Sequence, residues 1–258
     1  MGLNGIGFVL SLVTVGFIFY WTSGGHILAY WDAQSVFVVI VGTTVIGLIA
    51  VPKKEMRNFI PMFMVVARGH RNNWIDIVDL IVEMAEKSRQ DLSVLKSYID
   101  KIKDPFLNDA ISLLVSGFSE KEIKHILQRR SAAQVDREQR QTKMFKSLGK
   151  YPPACGLLGT VLGMIVLLGS LGQEGAAELI GPAMSIALVA TLYGVILANF
   201  IILPMSDNLS FLTLDSEAKR SMIIEGIQLI KKKESPIMIK ELLLSHIPAK
   251  DRGKTKKK

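Results

Sequence analysis

Four stretches of this chain carry no Asp, Glu, Lys or Arg: residues 1–31, 33–51, 151–173 and 179–206. Each can hold a helix of roughly twenty residues, enough to cross the hydrocarbon of a bilayer. Inside lipid every backbone N–H and C=O must be paired within the chain, so such a segment folds as a helix. The pattern predicts membrane helices at about 5–22, 33–51, 151–173 and 178–204. The expected fold class is an all-α integral membrane protein with four transmembrane helices. A helical cytoplasmic domain separates spans two and three, and a cytoplasmic helical tail follows span four. The corresponding segments are 1–52, 53–150, 151–206 and 207–258. The first stretch lacks a basic leader and a small-residue cleavage site, so it is expected to be a retained helix.

Charge placement orients the chain. Residues 53–150 hold 19 of the 31 Lys and Arg, and 207–258 hold the other 12. The short connections on the opposite side carry only Asp32, Glu174 and Glu178. Positive charge near span ends marks the cytoplasmic side, which places both termini and the central segment there. Tyr20, Trp21, Tyr30 and Trp31 fit an interfacial belt on the other side. The net charge of +8 follows from this placement and from attraction to anionic lipid. The basic C-terminal "KTKKK" reads as a lipid-facing tail.

Several chemistries find no support in the sequence. The single cysteine, Cys155, lies in the third span and has no intramolecular partner. His26, His70, His125 and His246 share no metal-ligand spacing. No nucleophile motif, phosphate loop or dinucleotide fingerprint occurs, and no groove-reading motif accompanies the basic charge. The chain is therefore not expected to be an enzyme, to hold a cofactor or to bind nucleic acid.

The cytoplasmic segment is helical in pattern. Ile77, Ile81, Met84 and Ala85 share one helix face, and Asp76, Asp79, Glu83 and Glu86 the other. A break follows near 91–103. Asp104 and Pro105 then suit an N-cap and first helical position, and Gly117 a C-terminal stop. Ser119 and Glu122 form a capping box that opens a helix of about thirty residues, roughly 45 Å long. Pro152 and Pro153 predict a fresh helix start or a kink where it meets the third span.

Small residues form stripes on the last two spans. Gly156, Gly159 and Gly163 recur on one face of the third. Ala183, Ala187, Ala190, Thr191, Gly194 and Ala198 do so on the fourth. Such stripes let helices approach closely, and they serve either plain packing or the walls of a path. Thr160 and Thr191 are the polar residues nearest to them. Neither stretch, 151–173 or 179–206, contains an Asp, Glu, Lys, Arg or His, the groups a proton or cation path normally uses. Ion flow through this chain would need a carboxylate from a partner.

Several segments, in order, resemble the A subunit of bacterial flagellar stators, the MotA/PomA family within the MotA/TolQ/ExbB proton channel superfamily. They are "VGTTVIGLIAVP", "YPPACGLLGTVLGMI", "AMSIALVATLYGVILANFIILP" and "EGIQLIKKKESPIMIKELLLSHIP". The resemblance covers essentially the whole chain. It implies a pentameric ring in the inner membrane around a dimer of B subunits. Each B subunit supplies the aspartate from a single span and grips peptidoglycan. It also implies torque on the rotor switch protein FliG.

Pro153 and Pro204 match the family's coupling prolines, and Thr160 and Thr191 its ion-path threonines. Sodium-type members carry a second threonine where Ala190 stands, so the resemblance implies a translocated proton. Arg89 matches an arginine facing the rotor. The family's acidic partner is replaced by Lys96 or displaced to Asp100. Two other readings stand beside this one: an energiser of the ExbB/TolQ kind, whose members have three spans, and a structural membrane scaffold.

Overall fold

The computed structural model describes residues 3–57, 59–68, 74–99, 101–172 and 175–252. Among them all regular structure is helical. The first helices are α1 (Leu3–Thr22), α2 (Ala33–Ala50), α3 (Lys53–Met56), α4 (Phe59–Arg68) and α5 (Trp74–Lys87). Then come α6 (Lys96–Ile99), α7 (Pro105–Val115), α8 (Glu120–Leu148), α9 (Tyr151–Ser170) and α10 (Ala176–Ile196). A π-helical segment, Leu197–Ile202, leads into α11 (Leu203–Lys231), and α12 (Pro236–Ser245) and α13 (Ala249–Arg252) follow. Among the described residues three helical runs are long and apolar enough to cross a membrane: Ala33–Ala50 and parts of Glu120–Ser170 and Ala177–Lys231. The apolar part of the first helix, Val9–Thr22, is shorter.

The chain divides into two compact units. One comprises residues 1–70 and 139–210, the other 71–138 and 211–258.

The second unit encloses a hydrophobic core. Ile77, Ile81, Met84 and Ala85 of α5 are buried as their spacing predicts. They meet Leu107, Ile111 and Leu114 of α7, Ile123 and Leu127 of α8, and Met222, Ile223 and Ile227 of α11. Capping sets the helix starts. Asp104 Oδ1 accepts from Phe106 N at 3.0 Å and Leu107 N at 3.1 Å, with Pro105 leading α7. Gly117 has φ +85°, which suits its place at the helix end. The Glu122 carboxylate accepts from the backbone N–H of Ser119 at 2.8 Å and from its hydroxyl at 2.6 Å. These bonds, the hydroxyl's first, hold the Glu122 carboxyl below the usual range.

The break near 91–103 is not an open loop. A 3-10 turn over Leu92–Leu95 and the single turn of α6 fill it, because Leu95 is drawn wholly into the core. A buried ion pair completes the unit. The Arg220 guanidinium donates to both carboxylate oxygens of Glu138, each at 3.1 Å, and to Ser131 Oγ at 3.3 Å. A fork of this kind matches carboxylate geometry on two bonds at once.

The first unit is built on α9 and α10, with α2 laid against both. Ser35, Val39, Thr43 and Gly47 form the buried i, i+4 stripe of α2. A Cβ built on Gly42 would lie 2.9 Å from Cys155 Sγ, so the lone cysteine packs against α2. Gly149 and Lys150 interrupt the chain between α8 and α9. Pro152 and Pro153 therefore fall in the first turn of α9, where the missing N–H groups cost no intrahelical bond. The junction is a fresh start, not a mid-helix kink.

Two substitutions test this packing. A Cβ on Gly163 would sit 2.6 Å from the carbonyl oxygen of Ala183, a backbone atom that cannot step aside. Gly163→Val is expected to lower stability in detergent by about 1–3 kcal/mol through overpacking. Gly169→Val, with nothing within 4 Å of the added Cβ, is the control that leaves thermal unfolding unchanged. In the other unit, Arg220→Ala removes the forked cation from the half-buried Glu138 and is expected to cost about 1.5–3 kcal/mol. The apolar pair Arg220→Met with Glu138→Leu should lose much less, as read by thermal unfolding and limited proteolysis.

Candidate ion path between two small-residue helices

The seam between α9 and α10 is closer than ordinary helix packing permits with larger side chains. Added Cβ atoms would meet the Ala190 carbonyl oxygen at 2.8 Å from Gly156 and the Ala190 Cβ at 2.5 Å from Gly159. Gly163 rests on Ala183 and Ala187, and Gly194 on the Pro152 carbonyl and Pro153. The predicted packing residues Gly156, Gly159, Gly163, Ala187 and Gly194 thus all lie in one contact.

That approach brings the two predicted threonines together. Thr160 Oγ1 and Thr191 Oγ1 are 2.5 Å apart, and both are half-buried. Thr160 Oγ1 lies 2.8 Å from the carbonyl oxygen of Ala187 and 3.3 Å from that of Gly156. Thr191 Oγ1 lies 3.3 Å from each of the same two carbonyls. Two hydroxyls own only two protons, so these contacts cannot all be donated at once. Lone pairs are left over, and the bonding pattern can switch without moving heavy atoms. The cluster can accept a hydrogen bond from an incoming group and pass one on.

Ala190 lies in the same seam. It is fully buried, with its Cβ against Gly159, and faces the α9–α10 contact rather than an open side.

The prolines bracket the same unit. Pro153 is half-buried in the first turn of α9, beside Gly194. Pro204 opens α11 directly after the π-helical turn. A proline ring clashes with the carbonyl four residues back, and the wider turn relieves that clash. A cavity of about 250 Å³ beside Pro204 is lined by Ser11, Asn199 and Asn208, and Asn208 Oδ1 is buried with no partner.

The expected rotor residues are described in part. Arg89 is exposed in the bend after α5, and Lys96 is exposed at the start of α6. Asp100 lies outside the described residues, as does the lysine tail beyond Arg252. Nearby charge is partly tied down. Lys87 bonds Glu83 at 2.6 Å and lies over the Tyr98 ring. These contacts, Glu83 first and then Tyr98, push its ammonium above the usual lysine range. Asp76, Asp79, Glu83 and Glu86 line a cavity of about 670 Å³ together with Lys240.

Sequence reasoning missed two polar ties in the first unit. The Asp32 carboxylate accepts from Ser35 N at 2.6 Å and from the Ser35 hydroxyl, which also reaches the Ile186 carbonyl at 3.2 Å. The Tyr193 hydroxyl donates to the Tyr30 carbonyl. The Asp-x-x-Ser pattern is an N-cap signal legible in the sequence. Its bond to α10 has no local signature.

The family model for the MotA/TolQ/ExbB proton channel family matches residues 98–244. Motility protein A of Borreliella burgdorferi is 30% identical, over 96% of this chain and 93% of its own length. Motility protein A of Bacillus subtilis is 29% identical, over 96% and 92%. The structure of the flagellar MotAB stator complex from Bacillus subtilis holds a chain that superposes with a TM-score of 0.85 at 29% identity, over 98% of both chains. With its glycine–alanine seam and paired threonines, this chain belongs to the MotA/TolQ/ExbB proton channel family.

Proposed function

We propose that this chain is the ion-conducting A subunit of a flagellar motor stator. The observation that carries the reading is the threonine pair, set in stretches 151–173 and 179–206 that hold no Asp, Glu, Lys, Arg or His. A proton path needs a titratable site. The cluster therefore offers hydrogen-bonding oxygens to a carboxylate that a partner's membrane helix must bring. The MotAB complex whose chain superposes on this one supports such a partner.

In this reading α1, α2, α9 and α10 cross the inner membrane, with both termini and the α5–α8 segment in the cytoplasm. Five copies surround two single-span B subunits that grip peptidoglycan. Pro153 and Pro204 couple ion passage to movement of α9 and α11, and Arg89 with Lys96 meets the rotor protein FliG. The translocated ion is a proton. Sodium needs several oxygen ligands in place of its water. Here the oxygens are already bonded to one another, and Ala190 offers none. The relatives named above are motility proteins, which favours a stator over an ExbB/TolQ-like energiser.

The test is co-expression with a single-span partner that carries a membrane aspartate. The pair is expected to co-purify and, once activated, to acidify the cytoplasm. Thr160→Ala with Thr191→Ala should cut the leak about tenfold, the effect of roughly 1.4 kcal/mol on a barrier, while Thr160→Ser retains most of it. Leak and motility that follow sodium and ignore pH would overturn the proton assignment. At the rotor face, an exposed charge contributes about 0.2–1 kcal/mol, or roughly one- to fivefold in engagement. Arg89→Glu should therefore reduce torque most at low salt and recover when a rotor carboxylate is changed to lysine. Unchanged torque with an unaltered rotor removes Arg89 from the contact.

A further inference from the structure

The second unit holds a cavity of about 860 Å³ between α7, α8 and α11, and neither ion passage nor a rotor contact at Arg89 uses it. Its walls carry five cationic side chains, and three of these are neutralised locally. Arg130 bonds Asp109 at 2.8 Å, Lys219 bonds Asp104 at 2.8 Å, and Arg220 is forked onto Glu138. The carboxylates are thereby spent. Asp104, moreover, already caps α7 with its other oxygen.

Arg129 and Arg137 remain. Both are exposed and neither has a carboxylate partner among the described residues. Among the described residues Arg137 donates one hydrogen bond, from its Nε to Gln134 Oε1 at 3.1 Å. The two stand eight residues apart on α8, about 12 Å along the axis. Ala133 lies midway on the same stripe and leaves space between them. The half-buried Phe106 supplies an aromatic surface on another wall.

We propose that this cavity binds a soluble phosphate-bearing ligand of nucleotide size. Two unneutralised guanidinium groups match phosphate oxygens, which arginine grips on two parallel bonds. Phe106 offers the face on which a planar base stacks. The volume lies within the range of small-molecule sites, roughly 300–1,000 Å³. A ligand here would tie α7 to the length of α8 that Arg129 and Arg137 span. Binding would therefore stiffen the unit that contains Arg89.

The test titrates the full-length chain, in nanodiscs of neutral phosphatidylcholine, with ADP and with pyrophosphate by calorimetry. Saturable binding of both is expected. Arg129→Gln with Arg137→Gln should weaken each at least tenfold, and Lys121→Gln, outside the cavity, should change neither. Phe106→Leu should weaken ADP while leaving pyrophosphate unaffected. Both arginines are exposed, so the double variant is expected to keep the wild-type helical signal and elution volume. Should it not, each single variant is read instead, with about half the logarithmic loss. The proposal falls if the folded wild type binds neither probe at millimolar concentration, or if the arginine variants bind as well as wild type. It falls equally if the arginines respond only to phosphatidylglycerol nanodiscs or to an acidic peptide.

Discussion

Helices in lipid gain nothing from hiding apolar side chains from one another, because the surrounding tails are equally apolar. What draws α9 and α10 together is close backbone approach, and that depends on the absence of side-chain volume at Gly156, Gly159, Gly163 and Gly194. The approach positions everything else in the first unit. It lets each threonine reach a carbonyl of the other helix: Thr160 reaches Ala187, and Thr191 reaches Gly156. It also seats the Pro152–Pro153 start against Gly194. Were the helices farther apart, each threonine would have only its own backbone to bond. The polar cluster would dissolve into two separate side chains.

What could be read in the sequence follows from how far each cause reaches along the chain. The caps at Asp104 and at Ser119–Glu122 span two or three residues and were legible. So was the α5 stripe, whose period is that of a single helix. The glycine and alanine stripes predicted close packing but not their partners. That Gly163 meets Ala183 and Ala187 is a fact about two helices. The Arg220–Glu138 fork joins residues 82 positions apart and left no local trace. The π-helical turn before Pro204 lay between these cases. A proline in a helix announces some disturbance, but that the backbone widens over residues 197–202 depends on what packs around them, and the sequence reading of Pro204 did not include it.

The two units answer the problem of buried polarity differently. In the second unit, charges are matched in pairs: Arg220 with Glu138, and Lys219 with Asp104. A charge buried without its partner there would cost several kcal/mol, of order 3–5. The first unit uses neutral groups that bond to carbonyls. Thr160, Thr191, Ser35 and Tyr193 each reach a backbone oxygen on a different helix or connecting segment. Neutral donors can be desolvated at modest cost, and they leave the α9–α10 seam without a fixed charge.

That neutrality constrains which ion can be handled. A carboxyl entering beside Thr160 would find hydroxyl lone pairs that can accept from its protonated form and no cation to lock it as an anion. Its proton affinity would then rest on burial and on those hydrogen bonds, so a small change in either moves it between holding and releasing a proton. A sodium ion makes a different demand. It would have to draw the Gly156 and Ala187 carbonyls away from the hydroxyls they already serve, in a seam where Ala190 is packed onto Gly159 with no room for a further oxygen. The glycines that bring the threonines together thus also limit the ligands they can assemble, and the arrangement favours transfer of a proton over coordination of a metal cation.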